Sequence, residues 1–171
     1  FSPRANLRFN PTQNINLRLS YSSGFRAPQA FDEDMHIENV GGTVAMIERA
    51  KDLKEEKSQS FSASADMYHR FGAFQTNLLI EGFYTRLTDV FVLGEPYDRG
   101  DGILVKTRSN GPGAKVMGLT LEGKVAYLSI LQIQAGLTLQ RSRYDEPHKW
   151  HDDAPAEKKI FRTPDTYGYF T

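Results

Sequence analysis

No cysteine occurs in the 171 residues of this chain, which excludes disulfides and thiolate metal sites. No apolar run approaches the ~20 residues that a transmembrane helix needs. A membrane β-barrel would escape that test, because its strands alternate instead of running apolar. Net charge is also missing: 21 basic residues balance 21 acidic ones, without the basic surplus typical of nucleic-acid binders. The chain has no initiating methionine and no signal peptide, and it stops at Thr171 inside what reads as a new strand. A piece of a longer protein is therefore expected, with its targeting inferred rather than read. Nucleophile motifs, phosphate-binding glycine loops and a serine–histidine–aspartate arrangement of workable spacing are all absent, so no catalytic residue is expected.

Aromatic residues, by contrast, are plentiful, with eleven phenylalanines and eight tyrosines. They sit in segments that alternate apolar and polar with period two, the pattern of strands with one wet and one dry face. Leu7 and Phe9 alternate with Asn6 and Arg8 over 5–9, and Asn10-Pro11-Thr12 reads as a tight turn. A second strand covers 15–21, where Ile15, Leu17, Leu19 and Tyr21 oppose Asn16, Arg18 and Ser20. A third covers 58–70 and a fourth 74–87, joined by the turn Phe71-Gly72-Ala73. In the fourth, Glu81 marks the polar side. A fifth covers 115–127 and a sixth 131–144, joined by Leu128-Ser129-Ile130. The sixth alternates most cleanly, with Leu131, Ile133, Ala135, Leu137 and Leu139 against Gln132, Gln134, Thr138 and Gln140. A seventh begins at about 166.

The connections between these strands alternate in length. They are short near 11, 72 and 129, and long over 22–57, 88–114 and 145–163. Outer-membrane barrels have this rhythm, with short periplasmic turns and long extracellular loops, whereas a soluble meander has no reason to keep its long loops at one end. The fold expected is all-β, an antiparallel up-and-down meander forming part of a large transmembrane β-barrel, with 1–171 as one partial barrel domain of six to seven strands. Within the first long loop, 28–34 is expected to hold a helical turn, and 43–57 has a composition compatible with helix. The alternative architecture is a soluble β-sandwich or small barrel acting as a binding module, which would need both of its sheets within these strands.

Several motifs resemble those of TonB-dependent outer-membrane receptors. Gly24-Phe25-Arg26-Ala27-Pro28 resembles that family's strand-end motif. Leu53-Lys54-Glu55-Glu56-Lys57-Ser58 is similar to its entry into the next strand, with Glu55 where proline is common. Val116-Met117-Gly118-Leu119-Thr120-Leu121-Glu122 looks like a later strand of the family, with Thr120 in place of an acidic residue. Arg162-Thr163-Pro164 is similar to an arginine-x-proline that leads into another. The resemblance covers nearly the whole chain. It implies a segment of a barrel of about 22 strands closed by a plug domain, in the bacterial outer membrane. It further implies active uptake of a scarce ligand such as a siderophore–iron chelate or a vitamin, with TonB as energising partner through a plug that lies outside this chain. The lipid bilayer is then the other partner, and no cofactor is implied.

Ligand-facing residues of such a receptor belong to its long loops. Arg26, just past a strand end, could meet an anionic ligand, or pack the loop through backbone carbonyls. Asp32, Asp34 and His36, with Glu33, form an acidic cluster that could hold a cation through oxygens or be a solvated loop; regular calcium-loop spacing is absent. Tyr97 and Trp150 could stack on a ring-bearing ligand or pack within their loops. His148, His151, Asp152 and Asp153 form a second cluster, in an irregular loop between Pro147 and Pro155, and no metal site is expected there. Asp66 with Arg70, and Glu122 with Lys124, share strand faces and read as ion-pair ladders on a wet wall.

Overall fold

The computed structural model describes residues 1–28, 45–100, 104–128, 130–148, 155–160 and 163–171. In chain order the strands are β1 (Arg4–Thr12), β2 (Ile15–Arg26), β3 (Ala45–Arg49), β4 (Glu56–Phe71), β5 (Phe74–Thr88), β6 (Phe91–Leu93), β7 (Tyr97–Asp98), β8 (Leu104–Asn110), β9 (Ala114–Tyr127), β10 (Leu131–His148), β11 (Glu157–Lys159) and β12 (Thr166–Phe170).

Eight of them form one antiparallel sheet in the order β1-β2-β4-β5-β9-β10-β11, with β12 pairing the same edge of β10. This is the expected up-and-down meander. Within the described residues the sheet remains open, with β1 at one edge and β11 and β12 at the other. Its central registers run unbroken from Arg26↔Glu56 to Ile15↔Met67, from Lys57↔Thr88 to Phe71↔Phe74, and from Leu131↔Tyr127 to Tyr144↔Ala114. Cross-strand partners share a face, so each apolar set falls in phase with the next. Leu7, Leu19, Ala63, Gly82, Leu119 and Leu139 form one such row. The row Phe9, Leu17, Ala65, Ile80, Leu121 and Leu137 lies beside it. Glu81, opposite Ser64 and Thr120, lies on the other face, as expected.

No second layer covers the apolar face among the described residues. Leu119 is 40%, Leu137 42% and Leu139 45% exposed, and the buried hydrophobics are Val105 and Ala114. Aromatic rings border the apolar band at both ends. At the long-loop end Tyr21 and Phe61 meet at 4.8 Å; at the short-turn end Phe71–Phe74 and Phe74–Tyr127 meet at 5.4 and 4.9 Å. Phe74 and Tyr84 on β5 are roughly 33 Å apart at ~3.3 Å per residue.

Four expectations about strand limits are corrected. First, β1 continues through Pro11 to Thr12, with a register shift between Phe9 and Thr12; an edge strand tolerates proline at such a bulge. Second, β2 does not break at Ser22-Ser23-Gly24 but pairs with β4 as far as Arg26. Third, β10 runs on to His148, and β11 stands inside the segment read as a long polar loop. Fourth, residues 45–49 are not helical. They form β3, which pairs in parallel with β8 from Ala45↔Leu104 to Arg49↔Arg108. Backbone pairing with a neighbouring strand outweighs the weak helical preference of this short stretch. The helical turn expected over 28–34 lies outside the described residues from 29 onward.

β8 is the centre of a second, four-stranded sheet, flanked by β3 on one side and by β6 and β7 on the other. Thus 104–110, within the connection read as a long loop, is part of this smaller sheet. Asn110 ties the two sheets together. Its side-chain oxygen accepts the Lys54 N–H at 2.7 Å, and its amide nitrogen donates to the carbonyls of Lys54 and Asp89 at 3.0 and 2.8 Å. Asp89, where the chain leaves β5 for β6, has a left-handed φ of 55°, a conformation that aspartate tolerates better than most residues. Asn110→Ala in the full-length protein should release the Lys54 amide. The loss of about 1–2 kcal/mol should speed its hydrogen exchange about tenfold while the amides of β9 and β10 stay protected. Unchanged exchange at Lys54 would contradict this anchoring role.

Candidate functional site

Two surfaces of the main sheet carry polar chemistry: the wall opposite the apolar band, and its long-loop end. The wall arises from period-two alternation, which sends Asn16, Arg18, Ser64, Asp66, Glu81, Thr120, Glu122, Lys124 and Thr138 to one face. Hydrogen bonds rather than ion pairs join its side chains. Asp66 accepts from the Tyr68 hydroxyl at 2.7 Å and from the Asn77 amide. Arg8 donates to Asn16 at 3.0 Å and to Asn10 at 3.1 Å. The hydroxyls of Ser60 and Thr85 lie 2.9 Å apart, and those of Thr120 and Thr138 lie 3.1 Å apart. Gln134 donates to the Tyr169 hydroxyl at 2.8 Å. The expected ion-pair ladders are thus corrected: among the described residues neither Asp66–Arg70 nor Glu122–Lys124 comes within ion-pair distance. Amides and a tyrosine satisfy Asp66 instead, and they do so without desolvating a second charge.

Apolar residues of this wall, Leu79 and Phe83 among them, interrupt the alternation. Phe83 is explained by its neighbour Gly118, since a Cβ there would stand 2.6 Å from the Phe83 ring. Tyr169 lies over Gly136 in the same way. Rings laid over glycines restore packing where the strand has no side chain.

At the long-loop end, Arg26 and Glu56 face each other across β2 and β4. The Arg26 guanidinium is 4.0 Å from the Glu56 carboxylate and 5.7 Å from the centre of the Phe91 ring. Glu56 also accepts the Phe91 N–H at 3.4 Å. Arg26 therefore sits on a paired strand end, half-exposed, and not in a loop. Among the described residues its partners are a carboxylate and a ring. Tyr97 lies on β7 of the smaller sheet, opposite Val105, and is exposed. Asp32, Asp34, His36 and Trp150 lie outside the described residues, as do Glu33, His151, Asp152 and Asp153. Among the described residues no group of three histidine, aspartate or glutamate side chains could hold a metal ion.

Asn110, Phe91 and Glu56, which organise this end, escape a reading of the sequence alone. Asn110 stands in Asn-Gly-Pro-Gly, where turn chemistry hides its second role. Glu56 is visible only through the register that sets it opposite Arg26.

A model of the family described as TonB dependent receptor-like, beta-barrel, matches residues 1–170. No curated protein matches the chain. Two solved structures of the FrpB iron transporter from Neisseria meningitidis share its fold. The F3-3 variant has a TM-score of 0.58 at 19% identity, over 84% of this chain and 20% of that one. The F5-1 variant has a TM-score of 0.60 at 18% identity, over 99% of this chain and 26% of that one. The chain thus spans about a fifth to a quarter of the solved transporters it matches. On the family match over nearly its full length, the chain belongs to the TonB-dependent receptor-like β-barrels, a non-catalytic transport family of the bacterial outer membrane.

Proposed function

We propose that this chain is an arc of the transmembrane barrel of an active-uptake receptor. Its long-loop end faces the outside, its apolar face meets lipid and its polar face lines the lumen. The receptor captures a scarce nutrient at its outer loops, and TonB, acting through a plug domain, energises its passage. The observation that carries this reading is the sheet's division into two faces. One face is a continuous apolar band bordered by aromatic rows. The other is a hydrogen-bonded wall of amides, hydroxyls and carboxylates. A soluble sandwich would bury Leu119, Leu137 and Leu139 against a second sheet, yet they stand 40–45% exposed.

The ligand class we favour is an iron chelate, in keeping with the iron-transporter title of the structural relatives, with a vitamin as the alternative. Arg26, beside Glu56 at the mouth of the polar wall, is the described residue best placed to meet a negatively charged chelate. Asp32, Asp34, His36, Tyr97 and Trp150 are the other loop positions to test by substitution.

The topology is testable on native cell envelopes probed with an antibody to this segment. A band several times larger than this chain, in the outer membrane and shifting on boiling, is expected; a soluble band of this chain's size that ignores heating would overturn the reading. Within the full-length receptor, Leu137→Arg should cost about 2–4 kcal/mol at mid-membrane and sharply lower the heat-shifting barrel. Glu81→Arg, at similar depth on the wet face, should leave its level unchanged. Equal levels of the two variants would refute the assignment of faces. Deleting the gene should slow growth on chelated iron but not on an excess of free iron; equal growth on both would remove iron chelates as the ligand.

A further inference from the structure

The polar face of the main sheet is not uniform. Along β2 and β4, toward the long-loop end, it is built from serines. Register sets Arg18 opposite Ser64, Ser20 opposite Ser62, Ser22 opposite Ser60 and Gly24 opposite Ser58. At ~4.8 Å per strand and ~3.3 Å per residue this strip is about 10 Å wide and, from Ser64 to Ser58, about 20 Å long. Longer side chains border it. Arg4 and Asn6 stand beside it on β1, and Phe83 and Leu87 on β5. Arg26 and Glu56 meet at its long-loop end, and Arg18 and Glu81 flank Ser64 at its deep end. A serine side chain ends one atom past Cβ, so the strip is a recess between these borders.

Its hydroxyls are also uncommitted. The Ser60 hydroxyl lies 2.9 Å from that of Thr85. Among the described residues the side chains of Ser20, Ser22, Ser58, Ser62 and Ser64 make no hydrogen bond. Each hydroxyl can donate once and accept twice, and that capacity is left for water or a solute. The neighbouring wall is engaged or covered instead. Asp66 is held by Tyr68 and Asn77, the Phe83 ring lies over Gly118, and Tyr169 lies over Gly136.

Passage along a pore needs contacts strong enough to admit a solute and weak enough to release it. A strongly charged lane would hold an oppositely charged solute, and an apolar lane would strip a hydrated one of its hydrogen bonds. Neutral hydroxyls do neither. We infer that the serine strip of β2 and β4 is the lane by which the nutrient descends the wall, from the Arg26–Glu56 pair to Arg18 and Glu81. The solute it suits has a surface of hydrogen-bonding groups and a narrow dimension of about 10 Å. The inference rests on the proposed uptake reading and adds where on the wall the solute passes.

The test uses the full-length receptor in intact cells. A membrane-impermeant, negatively charged methanethiosulfonate added from outside is the probe, and the wild type gives the background. Ser60→Cys and Ser62→Cys report on the lane; Thr120→Cys and Thr138→Cys, facing partners on β9 and β10, report on the wall beside it. The lane variants should react about tenfold faster in energised cells than in cells lacking TonB, in proportion to the rise in the open population. The β9 and β10 variants should not change. Ser64→Cys alone should show the same acceleration, and Ser60→Trp combined with it should abolish that acceleration by blocking the lane above. Thr138→Trp combined with Ser64→Cys should retain it. Equal acceleration on β9 and β10, no acceleration at Ser60→Cys and Ser62→Cys, or unimpeded labelling behind Ser60→Trp would each overturn the lane. Heat-shifted migration of every variant checks that the barrel has formed. A wild-type receptor without that shift would sink the uptake reading itself, whereas a shifting barrel accelerated elsewhere would sink only the lane.

Discussion

Register is the constraint on which the rest of this structure depends. Side chains alternate strictly along a strand, so a slip of one residue would move a whole apolar set to the wet face. From β2 to β10 the main sheet keeps its pairing without a shift, through strands of 12 to 18 residues. The shifts that do occur lie at the edges, between Phe9 and Thr12 and between Arg143 and His148. Amphipathic phase is therefore kept through the middle of the sheet and relaxed where the sheet ends. The tight turns support this. Gly72, with φ of 56°, closes the two-residue loop between β4 and β5, and Leu128 adopts a similar φ of 51° despite the cost to a residue with a Cβ.

The smaller sheet depends on the same pairing chemistry. β8 satisfies its backbone with β3 on one side and with β6 and β7 on the other, so a long loop becomes an ordered element without a large core of its own. Val105 is its one fully buried apolar side chain among the described residues. Such a sheet needs attachment, and Asn110 supplies it at the point where the chain leaves and rejoins the main sheet. Close approach adds to this: a Cβ on Gly111 would stand 2.5 Å from Val92, so glycine lets the strand ends converge. The result holds Arg26, Glu56 and Phe91 in one cluster at the long-loop end.

How much of this is legible in the sequence follows from length and period. The long strands announce themselves because six or more alternating positions outweigh local exceptions such as Leu79 and Phe83. Both faces could be read before the strands were paired. The short strands could not. β3 has five residues, and Ala-Met-Ile-Glu-Arg has neither a period nor a strong preference that would separate strand from helix; its partner, some 60 residues later in the chain, decides the matter. Arg26 illustrates a different limit. Its motif was visible, but Ser22-Ser23-Gly24 looks like a loop, and only the facing serines of β4 extend the ladder through it. The polar wall was legible as a face but not as a network, since hydrogen bonding between Asp66, Tyr68 and Asn77 depends on which residues the register sets side by side.

Net charge shows the same limit in another form. A balance of 21 and 21 charges argues against binding to nucleic acid, yet it says nothing about where the charges stand. Folding separates them. On the polar wall the carboxylate of Asp66 is held by neutral donors. Charge is absent from the apolar rows that run from Leu7 to Leu139 and from Phe9 to Leu137, and it stands in the row beyond Tyr84 and Met117, at Arg86, Lys115 and Arg143. A balanced total thus hides a segregation that only the register reveals.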